Sequence, residues 1–155
     1  MFREKLIVIA AEKFSLDEIE HGILRRYRWK YSLGYFSNPF ISKLLKQLAV
    51  SEIDFRIHLA LNCGAASCTP IAFYKLNTLN QQLDMATSSF LTSETIIDEG
   101  KKAVTVTRLM RWFKADFGGT GGIKKIVEKY LKTNLNGYKI KYSRYNWDTR
   151  LGNFF

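Results

Sequence analysis

Residues 55–70 constrain this chain most. Phe55, Ile57, Leu59 and Leu61 alternate with Arg56, His58, Ala60 and Asn62, the period-two pattern of a strand with one face in a core. The pattern breaks at Cys63-Gly-Ala-Ala-Ser-Cys68, where four small residues separate the two cysteines of the chain. Backbone with so little bulk lets a ligand or another segment approach closely. One imidazole, two thiols, an amide and a hydroxyl therefore fall within a single short stretch.

The rest of the chain is large enough to enclose that strand. With 155 residues, 46% of them apolar, it is expected to form one globular domain over residues 1–155. No apolar run reaches membrane-spanning length; the longest, Leu6 to Ala11, is strand-sized. No signal-peptide pattern opens the chain. As given it reads as cytoplasmic, and as exported if a signal peptide precedes it.

Helix signals divide the chain into an α+β pattern. Lys5 to Ala10 reads as a strand apolar on both faces and hence buried. Ser15-x-x-Glu18 is a capping box, with Phe14 and Ile19 as its staple, ahead of a helix from Leu16 to about Arg26. Asn38-Pro39 marks a second helix start, with Phe40, Ile41, Leu44, Leu45 and Leu48 as its stripe. Thr78-x-x-Gln81 caps a third helix that buries Leu79, Leu83, Ala86 and Phe90. Ala103 to Thr107 reads as a strand, followed by a short aromatic helix through Met110, Trp112 and Phe113. The run Gly118–Gly122 is a breaker and flexible connector, lacking the Gly-Lys-Ser/Thr ending of a phosphate loop. Ile123, Ile126, Val127, Tyr130 and Leu131 stripe the following helix, and Tyr138 to Tyr142 is a last strand. The order β-α-α-β-α-β-α-α-β gives a mixed or antiparallel sheet packed by helices.

Charge narrows the partners. The net charge of +10 favours acidic ones. Arg25-Arg-Tyr-Arg-Trp-Lys-Tyr31 interleaves cations with rings, a pattern suited to a nucleic-acid backbone and its bases. The same residues also fit a helix end that collects cations while its rings pack inward. No nucleic-acid-binding motif accompanies them, so nucleic acid is not the expected partner; a protein or peptide ligand fits better. Cys-x4-Cys is not a zinc spacing, and with His21 and His58 alone to supply nitrogen, neither metal nor cofactor is expected.

Four segments resemble, in the same order, the bacterial and plant family called domain of unknown function 547. They are Ser15-Leu-Asp-Glu-Ile-Glu-His-Gly-Ile-Leu-Arg25, Arg56 to Pro70, Leu79-Asn-Gln-Gln-Leu-Asp84 and Tyr145-Asn-Trp147. The resemblance runs from about Lys5 to Asn153. It implies a fold related to papain-like and transglutaminase-like proteins, with no settled activity. The family's opening helical segment, with its Asn-Ala-Tyr-Asn-like motif, has no counterpart here, so the chain looks like the C-terminal two-thirds of the domain. The usual Ser-Cys-Pro-Pro and Tyr-Asp-Trp read here as Ser67-Cys-Thr-Pro70 and Tyr145-Asn-Trp147.

On that resemblance His58 takes a general-base position, and Glu20, His21 and Arg25 join Asn62 and Ser67 as binding candidates. Asp17 lies four residues before His21 and can hold it, while Gly22 inside a helix points to close packing of another element. Strand alternation sets Cys63 on the face opposite His58, whereas loop reversal brings Cys68 closer to it. Cys68 is thus expected to be the more reactive of two free thiols. The expected protein is a non-catalytic or incomplete hydrolase-like module with a pocket around His58, Asn62, Cys63, Ser67 and Cys68. The alternatives are a thiol hydrolase or transferase using Cys68 or Cys63 with His58 as base, and a basic adaptor for nucleic acid or an anionic surface.

Overall fold

The computed structural model describes residues 3–9 and 11–148. The chain forms two compact units, residues 1–54 and 55–155. Helices and two small sheets make it an α+β protein.

In the first unit, β1 (Ile7–Ile9) and β2 (Glu12–Phe14) pair antiparallel as a hairpin, Ile7 opposite Phe14. Ala10, the expected end of the strand, lies outside the described residues. Expected to be buried on both faces, the strand is largely exposed: Val8 is 63% accessible, while Phe14 of its partner is buried. A two-stranded ribbon covers one face at most.

The capping box forms as its sequence requires. The Ser15 amide donates to Glu18 Oε2 at 2.9 Å, and the Glu18 amide donates to Ser15 Oγ at 3.1 Å. The turns it starts are wound as a π-helix over Glu18–Leu24. The amides of Arg25 and Tyr27 reach back five residues, to the carbonyls of Glu20 and Gly22, at 2.9 Å each. Gly22 is buried, and a Cβ there would sit 3.2 Å from Leu45 Cδ2, the close packing its place in a helix implies. Leu45 belongs to α1 (Lys43–Leu48), capped by Ser42, whose Oγ accepts from the Leu45 amide. The helix start expected at Asn38-Pro39 is instead a tight turn in which Asn38 Oδ1 accepts from the Phe40 amide. Asn favours such local bonding over helix.

The second unit is built on α2 (Leu79–Glu94) and a three-stranded sheet. β3 (Ile96–Asp98) and β4 (Ala103–Val106) form a hairpin, and β5 (Lys139–Tyr142) lies parallel to β4 on its other side. A parallel partner requires a crossover, supplied by α3 (Leu109–Trp112) and α4 (Gly119–Leu131). The core gathers Leu59, Phe90, Leu91, Val104, Val106, Met110, Phe117, Ile123, Val127 and Leu135.

Two expectations fail here. Phe55–Leu59 is a 3₁₀ turn, not a strand, and belongs to neither sheet. So short an alternation does not distinguish the two: the turn eclipses residues three apart, and His58 and Leu59 both enter the core while Leu61 is 44% exposed. The glycine run is not a connector either. Gly118, in the left-handed region at φ 75°, caps α4, and Gly119–Gly122 are its first turn.

Candidate functional site

His58 is carried into the second unit's interior by the 3₁₀ turn. Its Nε2 meets Asp116 Oδ2 at 2.9 Å, with the two side chains 1% and 0% exposed. The imidazole stacks on Phe113, centroids 4.0 Å apart and planes 9° from parallel, and Phe117 covers it at 5.5 Å. Phe113, Asp116 and Phe117 lie three and four residues apart in the turns that follow α3, and all three meet the same imidazole. Asp116 was not foreseen. Asp116-Phe-Gly118 reads in the sequence only as a chance kinase tripeptide.

The two cysteines sit on a separately framed loop. The Asn62 side-chain amide donates to the Thr69 carbonyl, and the Thr69 hydroxyl donates to the Leu61 carbonyl at 3.3 Å. These bonds tie the two limbs of the loop together. Asn62 Oδ1 also accepts from the Gly64 amide at 2.6 Å, where Gly64 takes φ 85°. Gly supplies that left-handed turn without strain. The Cys63 amide then donates to Cys68 Sγ at 3.1 Å.

A segment distant in sequence closes the loop. The Ala66 amide donates to the Asp148 carbonyl at 2.7 Å, and the Asn146 amide donates to Ser67 Oγ at 2.8 Å. This placement delivers the Tyr145 hydroxyl to both thiols, 3.4 Å from Cys63 Sγ and 3.1 Å from Cys68 Sγ. Trp112 and Trp147 hold the phenol ring at 4.8 and 4.6 Å. Sequence reasoning picked out Tyr145 only through the closing motif, not as a thiol partner.

Electrostatics separates the two sulfurs. Burial pushes the Cys63 thiol up, but bonding from Cys68, from Tyr145 and from the Ala65 and Cys63 amides outweighs it and holds Cys63 below the ordinary thiol value. Burial, with the neighbouring Cys63, pushes Cys68 up. Burial and the two sulfurs keep the Tyr145 phenol far above its usual range, so it remains a hydroxyl. Cys63 is exposed and Cys68 half-buried.

The remaining candidates lie in the first unit. Arg25, fully buried, donates to His21 Nδ1 at 2.8 Å, so that nitrogen carries no proton and Nε2, 3.8 Å from Asp17 Oδ1, carries it. Glu20 lies on the same π-helix. Among the described residues no group of His, Cys, Asp and Glu could hold a metal. Beside the second unit's motif, Leu59, Thr69, Pro70, Tyr74, Met85 and Phe90 help line an apolar cleft of about 370 Å³.

Two of the recognisable segments meet. Arg56 reaches the start of α2, bonding Asn80 Oδ1 at 2.8 Å and pairing with Asp84 at 3.2 Å. Tyr130 of α4 bonds the same carboxylate, and the Tyr130 and Arg56 donors hold Asp84 below the usual carboxylate range.

The chain is an α+β protein in which an Asn-Cys-Gly-Ala-Ala-Ser-Cys loop follows a buried histidine in sequence. The sequence matches the family described as protein of unknown function, DUF547, over residues 1–91. That is more than half of the chain, which therefore belongs to this family. The match takes in the first three recognisable segments and leaves Tyr145-Asn-Trp147 beyond it; Asn153, the expected end of the resemblance, lies outside the described residues. No curated protein and no solved structure matches the chain, and the implied papain-like relationship draws no support from them.

Proposed function

We propose that this chain acts as a non-catalytic, hydrolase-like module of its family, a single domain whose ligand-facing surface is the loop from Asn62 to Cys68. The observation that carries this reading is the enclosure of His58. A general base must reach the proton it removes. Here the Nε2 atom is engaged by Asp116, the ring is stacked on Phe113, and the side chain is 1% exposed. The pair pins the 3₁₀ turn to the segment after α3, and so fixes where the thiol loop starts. A protein or peptide ligand is the class of partner that fits a loop rich in small residues and exposed at Asn62 and Cys63.

The test is the pH dependence of Cys63 alkylation in the chain and in its His58→Gln variant. A structural histidine leaves the midpoint of that profile unchanged and lowers the melting temperature. A base paired with the thiol makes the midpoint rise on substitution, and that result would establish the thiol hydrolase or transferase alternative instead.

A second reading keeps the basic adaptor in play. Trp29, Tyr31 and Phe36 are exposed, and the neighbouring Arg28 and Lys30 are half-buried, Lys30 paired with Asp17 at 2.7 Å. Retention on a polyanion that falls with salt would support it.

A further inference from the structure

We propose that Cys63 and Cys68 form an oxidisable dithiol site for hydroperoxides, in which Cys63 is the sulfur oxidised first and Cys68 resolves it as an intrachain disulfide. The inference uses the same loop as the proposed ligand surface. Its test reads sulfur oxidation, whereas the other reads dependence on His58, so either can fail alone.

The geometry points this way on three counts. Asn62 and Thr69 are tied across the loop immediately outside the two cysteines, so the loop limbs are closed without a disulfide. Both sulfurs bond the one Tyr145 hydroxyl, so their separation cannot exceed those two bonds laid end to end. The Cys63 amide adds a direct link to Cys68 Sγ at 3.1 Å. The two thiols also differ in access: Cys63 is exposed and Cys68 half-buried. That is the arrangement of an attacking sulfur with a resolving one behind it.

Hydrogen-bond donors support the assignment. A phenol has one proton to give. With Cys63 as the thiolate, that proton is given to its sulfur, and Cys68 stays a protonated thiol. The downward displacement of Cys63 and the upward displacement of Cys68 agree with this distribution.

The chemistry balances as two steps. The Cys63 thiolate attacks the terminal oxygen of the hydroperoxide; the O–O bond breaks, hydroxide or alkoxide departs and is protonated by solvent, and Cys63 becomes a sulfenic acid. Sulfur is oxidised by two electrons and the peroxide reduced by two. Cys68 then attacks the Cys63 sulfur; the S–O bond breaks, the hydroxyl leaves with the Cys68 proton as water, and the disulfide forms.

The experiment treats the reduced full chain with equimolar hydrogen peroxide at neutral pH and maps peptides without reduction. The expected product is a Cys63–Cys68 link with the loss of two hydrogens. In Cys68→Ser, dimedone traps a sulfenic acid on Cys63. Limiting iodoacetamide on the unaltered chain labels Cys63 in preference to Cys68; this arm needs no variant to fold. Sulfinic acid on either cysteine without a link, links between chains only, or prior labelling of Cys68 would each overturn the proposal.

Discussion

His58 and Asp116, 58 residues apart in sequence, are joined by a 2.9 Å bond between side chains that are almost wholly withdrawn from solvent. Removing one member takes this bond from a side chain that water cannot reach. Asp116→Ala should therefore cost about 3–5 kcal/mol, the range for breaking a buried pair. Asp116→Asn, which keeps an acceptor at the same place, should cost less. Urea unfolding of the three proteins orders them, and equal midpoints would mean the pair does not hold the turn.

Leu59 and Leu61 offer a sharper contrast. The first is fully buried and the second 44% exposed. Leu59→Ala should lose about 2–5 kcal/mol, as buried leucine truncations do. Leu61→Ala should stay within about 0.5 kcal/mol of the parent. Had the segment been a strand with this alternation, both substitutions would have been costly.

Adjacent glycines at the start of α4 should respond with opposite signs. A Cβ on Gly121 meets nothing within 4 Å, whereas one on Gly122 would lie 2.1 Å from the Phe117 carbonyl oxygen. Gly121→Ala should stabilise by about 0.5–1 kcal/mol through helix propensity. Gly122→Ala must push the helix away from the Phe117 backbone, and should lower the melting temperature.

Acid should act on the first unit through Glu18. Burial raises the Glu18 carboxyl, but the Ser15 amide and hydroxyl and Lys5 outweigh it and hold the group below its ordinary value of 4.5. The folded value is thus the lower one. Its contribution is fully present above the unfolded pKa, and is lost as pH falls through the folded one. Ser15→Ala should cost about 0.5–2 kcal/mol at pH 7, as lost caps do, and should flatten the stability profile below about pH 4.5. Thermal melts from pH 7 to 3 would register both.

What could be read from the sequence was local. The Ser15–Glu18 reciprocal bonds, the α4 stripe from Ile123 to Leu131 and the β4 segment at Ala103 each depend on neighbours a few residues away, and each formed as expected. The partner of His58 depends on how the turns after α3 seat Phe113 and Phe117 around it, and no spacing near residue 58 encodes that. The thiol environment was hidden for a related reason. Its controlling hydroxyl comes from Tyr145, 77 residues beyond Cys68. The strand assigned to Phe55–Leu61 failed because so short an alternation also suits a turn with one buried end.

The backbone bonds from Ala66 and Ser67 to Asp148 and Asn146 have a kinetic meaning. They fasten the loop to a segment that lies after β5, outside both sheets and all four α-helices. Such a fastening can open by local fraying, without unfolding the core, on a lower free-energy rung than global denaturation. Amide exchange at Ala66 and Ser67 should accordingly run ahead of exchange at Val104 and Val106, while remaining slower than in a chain cut after Ser143. Accessibility of the loop would then be metered by detachment of the tail: a latch rather than a fixed opening.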